Sequence, residues 1–498
     1  MAQSRKDSIR YGWTPDCAAT DRLRSFGISP LKWSFTPRLA AAWMLAILVP
    51  VAGSGQSKGV GEEGHQEQTR VRYEIAWERT LGGPKSDSFN SITATSSGDV
   101  VVIGVRHTVG APPSQHEQRS GWLLRLQANG EEVWNRLAEP RGPGQMLGSA
   151  STYSLEHVVP WKDDGYLAVG RAETIRSTSV NSPLLIDYDG WIYAFDDTAS
   201  GFSHALVSGP AEHTESKPMT YTLHRASASA SHGFVAVGIE GFLKSGTGSF
   251  MDVVARVPWV LRVGSDSKEL WRKEYNRASG VTWLTDAALL PDSSVLLGAR
   301  PERETGGPST GLLIRLGLDG NEVWRRTMDN PAGLSLSAMK LIDDEHIVLV
   351  GTAELPEIGG ESINHKRGGW IGIADLSGNV LTSLSVAGDF YLGLRDIVEL
   401  RGGGFAAVGT VRDTDSDDSD GFVVTTDERL RETSRNRFGG ETKEELKGIA
   451  ALPDGKLIAA GVRTVDGSTD GWVVALTPHD NGVDDAFDTA EPAAPQTE

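Results

Sequence analysis

The sequence predicts an all-β chain, a seven-bladed β-propeller of four-stranded antiparallel blades over residues 71–477, closed by an N-terminal strand that completes the last blade. Three observations predict it. First, seven short apolar strands end on glycine: VVVIG at Gly104, YLAVG at Gly170, FVAVG at Gly238, SVLLG at Gly298, IVLVG at Gly351, FAAVG at Gly409 and KLIAAG at Gly461. Second, each is followed by another apolar strand: GWLLRL, GWIYAF, WVLRV, GLLIRL, GWIGIA, GFVVTT and GWVVAL. β-Branched and aromatic residues bounded by Gly and Asp, with no long helical period between them, mark strands. Third, the strands can be counted to closure. Outer strands follow tight polar turns in QANGEEVW, SDSKELW and LDGNEVW, with weaker copies at 202–208, 379–386 and 430–438. The last unit lacks one, and residues 73–83 (YEIAWERTLGG) supply it. That strand would remove the open sheet edges.

An inner strand precedes each Gly-terminated one, as in SFNSITAT, LTDAALLP, LRDIVELR and LKGIAALP, so each unit has four strands. The marker glycines recur every 52 to 68 residues. A chain of 498 residues would otherwise suggest about three domains, and only a repeat makes it one.

These units resemble the degenerate propeller repeats of exported bacterial proteins, and LDGNEVW resembles the Trp-bearing turn of pyrroloquinoline-quinone-type repeats. The resemblance covers about ten residues per unit. It implies the propeller fold and, for the second family, a quinone cofactor.

The formal charge is −18, and the first 53 residues carry seven Lys or Arg against three Asp, leaving −22 for the remainder. Such a field argues against nucleic acid and anionic membrane surfaces as partners. Cys17 is the only cysteine, which excludes an internal disulfide and any thiolate site in residues 71–477. Residues 39–52 (LAAAWMLAILVPVA) follow Lys32 and Arg38 and precede Gly53, Ser54 and Gly55, the order of a secretory signal segment. The run is shorter than the roughly 20 residues of a spanning helix. The organisation expected is therefore an N-terminal extension with signal peptide or signal-anchor (1–55), a linker (56–70), the propeller (71–477) and an acidic disordered tail (478–498). The mature chain is expected to be an exported monomer with no stable membrane span.

Loop lengths assign faces. Turns between the first and second strands are short, whereas connections at 105–120, 171–189, 239–257, 299–310 and 352–368 are long, as are 139–152 and 209–219. Long loops in a compact unit are usually functional or disordered, so a binding surface is expected on that face and at the channel mouth beneath it. Inner strands place Asn90, Asp286, Arg395, Asp396 and Lys447 near the channel, and Trp283 stands before Asp286 as an aromatic suited to stacking on a ligand. Polar residues are also what a wet channel requires without any ligand.

Residues 413–421 (DTDSDDSDG) put Asp413, Asp415 and Asp417 at alternate positions, followed by Asp418 and Asp420. Hard oxygen ligands in a flexible loop suit calcium, although Asp418 stands where a calcium loop wants Gly and no late Glu follows. The competing reading is a solvated acidic turn. The eleven His show no metal-ligand spacing; His107, His116, His213 and His365 share the long-loop face. No G-x-S-x-G, phosphate loop or dinucleotide fingerprint stands in the right context. Trp122, Trp191, Trp370 and Trp472 form one column and Trp77, Trp134, Trp271 and Trp324 another, a recurrence that implies packing between neighbouring units; Trp161 and Trp283 lie outside both. The function expected is an exported binding or interaction scaffold for a protein or glycan. The alternative is a channel-mouth enzyme, a calcium-dependent hydrolase or lactonase-like protein, or a quinoprotein.

Overall fold

A glycine inside a β-strand sacrifices packing and backbone entropy, so seven at equivalent places require a cause. The structure, a computed structural model, describes residues 71–109, 117–138, 152–162, 164–176, 185–207, 219–244, 252–302, 310–328, 333–354, 367–388, 390–413, 416 and 418–480. Among them are 28 strands and one 3-10 turn, Arg277–Ser279. The expected signal segment and linker, and residues 481–498 of the tail, lie outside the described residues. The last strand, Ser468–Asp480, carries three residues assigned above to the tail into the sheet. Among the described residues, no helix is long and apolar enough to cross a membrane.

The strands form antiparallel meanders of four. Four are separate four-stranded sheets, and a twelve-stranded composite contains three more, joined by single parallel bridges at Arg119 with Thr152 and at Tyr188 with Thr220. The inner strands, in chain order, are Ser88–Ala94, Thr152–Trp161, Met219–Ser229, Val281–Leu289, Leu334–Leu341, Phe390–Glu399 and Glu444–Ala451. The expected N-terminal strand is present as Val71–Leu81, paired antiparallel along Ser468–Asp480 with Leu81 opposite Gly471.

The marker glycines lie inside strands rather than at their ends. Each inner strand carries a β-bulge beside its marker glycine, and the inserted residues are Asn90, Glu156, His224, Thr285, Ser337, Arg395 and Lys447. In six meanders the glycine pairs with the apolar residue just before the bulge; a Cβ on Gly104, Gly170 or Gly461 would overlap the carbonyl of Ser88, Ser154 or Glu445. In the fourth, Ala299 faces Leu284, and a Cβ on Gly298 would press on the Thr285 hydroxyl at 2.8 Å. Glycine therefore gives the bulge its room.

Because the second strands pass these glycines, much of the chain expected as long loop is ladder. Pairing continues to Val109 with Glu117, Arg176 with Leu185 and Lys244 with Asp252. The connections left, 110–116, 177–184 and 245–251, lie outside the described residues.

The apolar residue before each bulge, Phe89, Leu155, Leu223, Leu284, Leu336, Leu394 or Leu446, is fully or almost fully buried. Six of them fill a notch left by a glycine of the preceding meander's third strand. Gly121 receives Leu155, Gly190 Leu223, Gly311 Leu336, Gly369 Leu394, Gly421 Leu446, and Gly471 receives Phe89. The Trp following four of these glycines, Trp122, Trp191, Trp370 and Trp472, is buried. Trp259, buried and paired with Gly238, belongs to the same column.

Outer-strand Trp side chains bridge to the next meander's turn. The indole N–H of Trp77 donates to Ala128 O (3.0 Å), Trp134 to Asp197 O (2.9 Å) and Trp271 to Leu318 O (2.8 Å). The rings of Trp77, Trp271 and Trp324 lie against Gly130, Gly320 and Gly378, which have positive φ. These contacts explain the glycine of the turns Asn129-Gly130, Asp319-Gly320 and Ser377-Gly378: the turn needs a left-handed residue and presents a flat face to the preceding meander's indole. Since Trp77 and Gly471 belong to the seventh meander and Ala128 and Phe89 to the first, the last meander packs on the first. One apolar cluster joins Phe89, Trp122 and Leu124 to Ile458, Val473 and Ala475.

Leu394→Ala should therefore cost about 2–5 kcal/mol in urea unfolding, by emptying the Gly369 notch. Leu318→Ala, at a side chain 65% exposed, should stay within about 0.5 kcal/mol. Equal effects would contradict this packing.

Candidate binding recess at the inner-strand bulges

A bulge adds one residue to one strand, so side-chain alternation counted from the strand start assigns the wrong face beyond it. The inserted residues turn out of the ladder into one recess of about 430 Å³, lined by all seven together with Arg225, Trp283, Arg300 and Glu445. Every inner strand contributes to it. The bulges occur at the third to sixth residue of their strands, on the side from which the long connections leave. A larger groove of about 650 Å³ separates Val71 and Arg72 from Glu432–Asn436; it is a cleft between two outer strands.

Asn90, Trp283, Arg395 and Lys447 line the recess as expected. Asp286 and Asp396 do not. Both stand one residue past a bulge, are at most 5% exposed and turn toward the following meander. Asp286 accepts hydrogen bonds from the Met339 N–H (2.9 Å) and from its neighbour Ala287 N–H (2.8 Å); Asp396 accepts one from Ile449 N–H (3.2 Å) and lies 3.7 Å from the Lys340 ammonium. Ser91 and His157 occupy the same place in the first two meanders, accepting from Val158 N–H and Ala226 N–H, both at 3.3 Å. These four residues tie successive inner strands together. Burial raises the Asp286 carboxyl above its ordinary range against the pull of Arg225 and its hydrogen bonds, and burial holds His157 well below the usual imidazole value.

Glu156, His224, Arg225, Thr285, Arg300, Ser337 and Glu445 are recess residues that strand alternation alone did not single out. A signal for the bulges does exist: the inserted residue follows a Leu or Phe and stands fourteen positions before the marker glycine in six meanders, as in Asn90 and Gly104, and thirteen before it in Thr285 and Gly298.

Within the recess, Asn90 Nδ2 donates to Leu155 O (2.9 Å), and the Lys447 ammonium donates to Asn90 Oδ1 (3.3 Å), linking the seventh, first and second meanders. Burial pulls Lys447 below the ordinary lysine range, with Glu445 and Glu156 opposing. Trp283 stacks on His224, centroids 5.0 Å apart and planes 25° apart. His224 Nε2–H donates to Leu284 O (2.7 Å), a bond that sets the tautomer and leaves a buried Nδ1 lone pair without a protein partner. Burial lowers this imidazole to about 4. At neutral pH the recess therefore combines an uncharged imidazole–indole face, hydroxyl and amide groups, and both signs of charge. Such a set suits holding a polar or ionic ligand.

In the acidic loop the described carboxylates have partners within the chain. Asp413 takes the Arg437 guanidinium at 2.8 Å, and Asp420 meets the same guanidinium; Asp418 Oδ1 accepts from Ser419 N–H (3.0 Å). Asp415 and Asp417 lie outside the described residues. Among the described residues, no group of three or more His, Cys, Asp or Glu is placed to hold a metal. Trp161, outside both columns, is buried and packs edge-on against Phe234 of the next meander.

The unfolded chain protonates His224 first, so its contribution to stability is full above pH 6.5 and declines as pH falls from there toward 4. NMR titration of the His224 ring should give a midpoint near 4, and His224→Gln should flatten acid destabilisation over that window. A midpoint near 6.5 would contradict the buried neutral ring.

No family model matches the chain, and no curated protein matches it; the resemblance to quinone-type repeats has no family match behind it. Solved structures similar to it include Drosophila Plexin A in complex with Semaphorin 1b, 10% identical, covering 82% of this chain and 88% of that one with a TM-score of 0.41. Sqt1 from Chaetomium thermophilum is 12% identical, with 81% and 99% covered and a TM-score of 0.38. Trypanosoma rangeli sialidase in complex with sialic acid is 10% identical, with 70% and 56% covered and a TM-score of 0.36. Likeness at this level says nothing about activity.

Proposed function

We propose that residues 71–477 are a closed seven-bladed propeller, exported from the cell, that acts as a binding scaffold for a protein or glycan through the recess on its long-connection face. One observation carries the reading: all seven inner strands send the residue of an equivalent bulge into the same recess. Strand Val71–Leu81 would be the closing strand, since it pairs with the last strand while Trp77 reaches the first meander's turn.

The chemistry of the seven positions supports recognition. The residue before each bulge is Leu or Phe throughout, whereas the bulge residue itself is in turn Asn, Glu, His, Thr, Ser, Arg and Lys. Packing demands the first kind of uniformity. Seven different side chains on seven equivalent backbones make an asymmetric surface, which an asymmetric ligand needs. The recess holds Glu156, Glu445 and His224, but the His224 nitrogen that keeps its lone pair is closed off from solvent, so the ring offers no exposed base and binding is favoured over hydrolysis.

A glycan array probed with the full chain should show retention of a restricted set of glycans. Arg395→Ala combined with Lys447→Ala should lower retention at least about tenfold at unchanged melting temperature, and Lys456→Ala, at a turn on the opposite face, should leave it unchanged. Retention indifferent to the recess pair would overturn the reading.

A further inference from the structure

On the side of the fourth to seventh meanders the recess opens into two adjoining hollows of about 300 and 410 Å³. All three share Arg395; the first two also share Arg300 and Ser337, and the last two share Thr352 and Arg367. They form one continuous depression. Its basic residues are Arg300, Arg395 and Lys447 toward the inner strands and Arg367, Arg412 and Lys443 at the rim; its acids are Glu156, Glu354 and Glu445. With Arg225 counted, positive charge predominates there, in a chain whose net charge is −18.

Partnering separates these cations from four arginines of the third and outer strands. On the outer strands Arg325 pairs with Glu322 at 2.7 Å, Arg272 with Glu269 and Arg435 with Glu432, while Arg315 meets Asp292 at 2.6 Å. These four guanidinium groups are neutralised locally, whereas Arg262 donates to backbone carbonyls and Arg326 to Asn379 Oδ1. In the depression, Arg367 lies 3.9 Å from Glu354, and Arg412 covers the Tyr391 ring at 5.3 Å. Arg300 and Arg395 have no carboxylate partner among the described residues. Both side chains are exposed. Partial desolvation, and then the Arg395 charge, hold the Arg300 guanidinium below its ordinary range, a like-charge opposition that a bound anion would relieve. Ser335, Ser337 and Thr352 line the same hollow as the two arginines.

We propose that this depression is an oxyanion-binding site, in which Arg300 and Arg395 flank a carboxylate or phosphate group and the serine and threonine hydroxyls donate to its remaining oxygens. The guanidinium fork matches two oxygens of a planar or tetrahedral oxyanion, and charge-assisted bonds of this kind are the strong ones. The Trp283–His224 face continues from the Arg300 end, so the ligand is a carboxylate or phosphate attached to a body that can lie on an aromatic surface. This inference rests on the binding reading and names the chemistry its ligand carries.

The test is calorimetry on the full chain at low salt with three probes: a trisaccharide of uronic acids, the neutral trisaccharide of the same sugars, and inorganic phosphate. The uronate should bind, and binding should weaken at least about tenfold in Arg300→Gln and in Arg395→Gln, while Arg300→Lys keeps more of it. The neutral sugar should bind at least about tenfold more weakly, and Arg325→Gln, on an outer strand, should behave as wild type. Phosphate binding that is lost in the same two variants, with no uronate binding, supports the site and assigns it to phosphate. Equal binding of acidic and neutral sugars, unchanged by either arginine variant, would overturn the oxyanion site and leave the scaffold reading intact. Absence of heat with both anions at millimolar concentration would overturn it as well. A glycan-array result restricted to neutral sugars and sensitive to the recess pair would then show that binding itself stands.

Discussion

The close approach of each marker glycine to the bulged inner strand is the constraint on which the rest of the structure depends. A bulge bends and twists its strand and re-aims one side chain. Here it is held by a second strand whose glycine lets the bulged backbone come near, and by a Leu or Phe driven into the preceding meander's glycine notch. Backbone geometry, packing between meanders and the residues facing the recess are therefore set together. A side chain on Gly104 would push against Ser88, shift Phe89 from its notch at Gly471 and move Asn90. The same three-part unit recurs in six of the seven meanders, and in the fourth the bulge and its marker glycine remain while Leu284 has no glycine notch.

That division separates the parts of each unit that packing fixes from the part it leaves open. Deep in the sheets, polar groups are spent on cohesion: Asp286, Asp396, His157 and Ser91 satisfy backbone N–H groups of the next inner strand that would otherwise be buried unpaired. On the outer strands, Arg272, Arg325 and Arg435 are each matched to a glutamate three residues away. Toward the recess and its adjoining hollows seven Arg or Lys stand against three Glu, a local excess of positive charge in a chain whose net charge is −18. Field focusing in a concave site raises the local concentration of a ligand of opposite sign.

Much of the architecture was legible in the sequence because it is written in residues with one physical purpose. Gly followed by Trp in four third strands, and a tight polar turn before Trp134, Trp271 and Trp324, identify the meanders and their order. Counting strands placed the N-terminal strand beside the last one, where it is found. The recess was half legible. Asn90, Trp283, Arg395 and Lys447 are legible as polar or aromatic residues on inner strands, but polarity alone does not say which face of a bulged strand a side chain takes, and Asp286 and Asp396 turn away from the recess. For the same reason Glu156, His224 and Ser337 were missed. Reading the glycines as strand ends made long loops of segments that are ladder. In the acidic run at 413–421 the sequence does not show that Arg437, from the neighbouring strand, engages Asp413 and Asp420.

The most direct measurement is an anomalous-difference map from crystals of the full chain soaked in selenate, a phosphate-like anion with its own scattering signature. The account predicts a peak in the depression beside both Arg300 and Arg395, with the seven bulge side chains surrounding the adjoining recess. An experimental map in which Arg300 and Arg395 point away from one another into separate cavities, or in which selenate occupies only surface lysines, would contradict it.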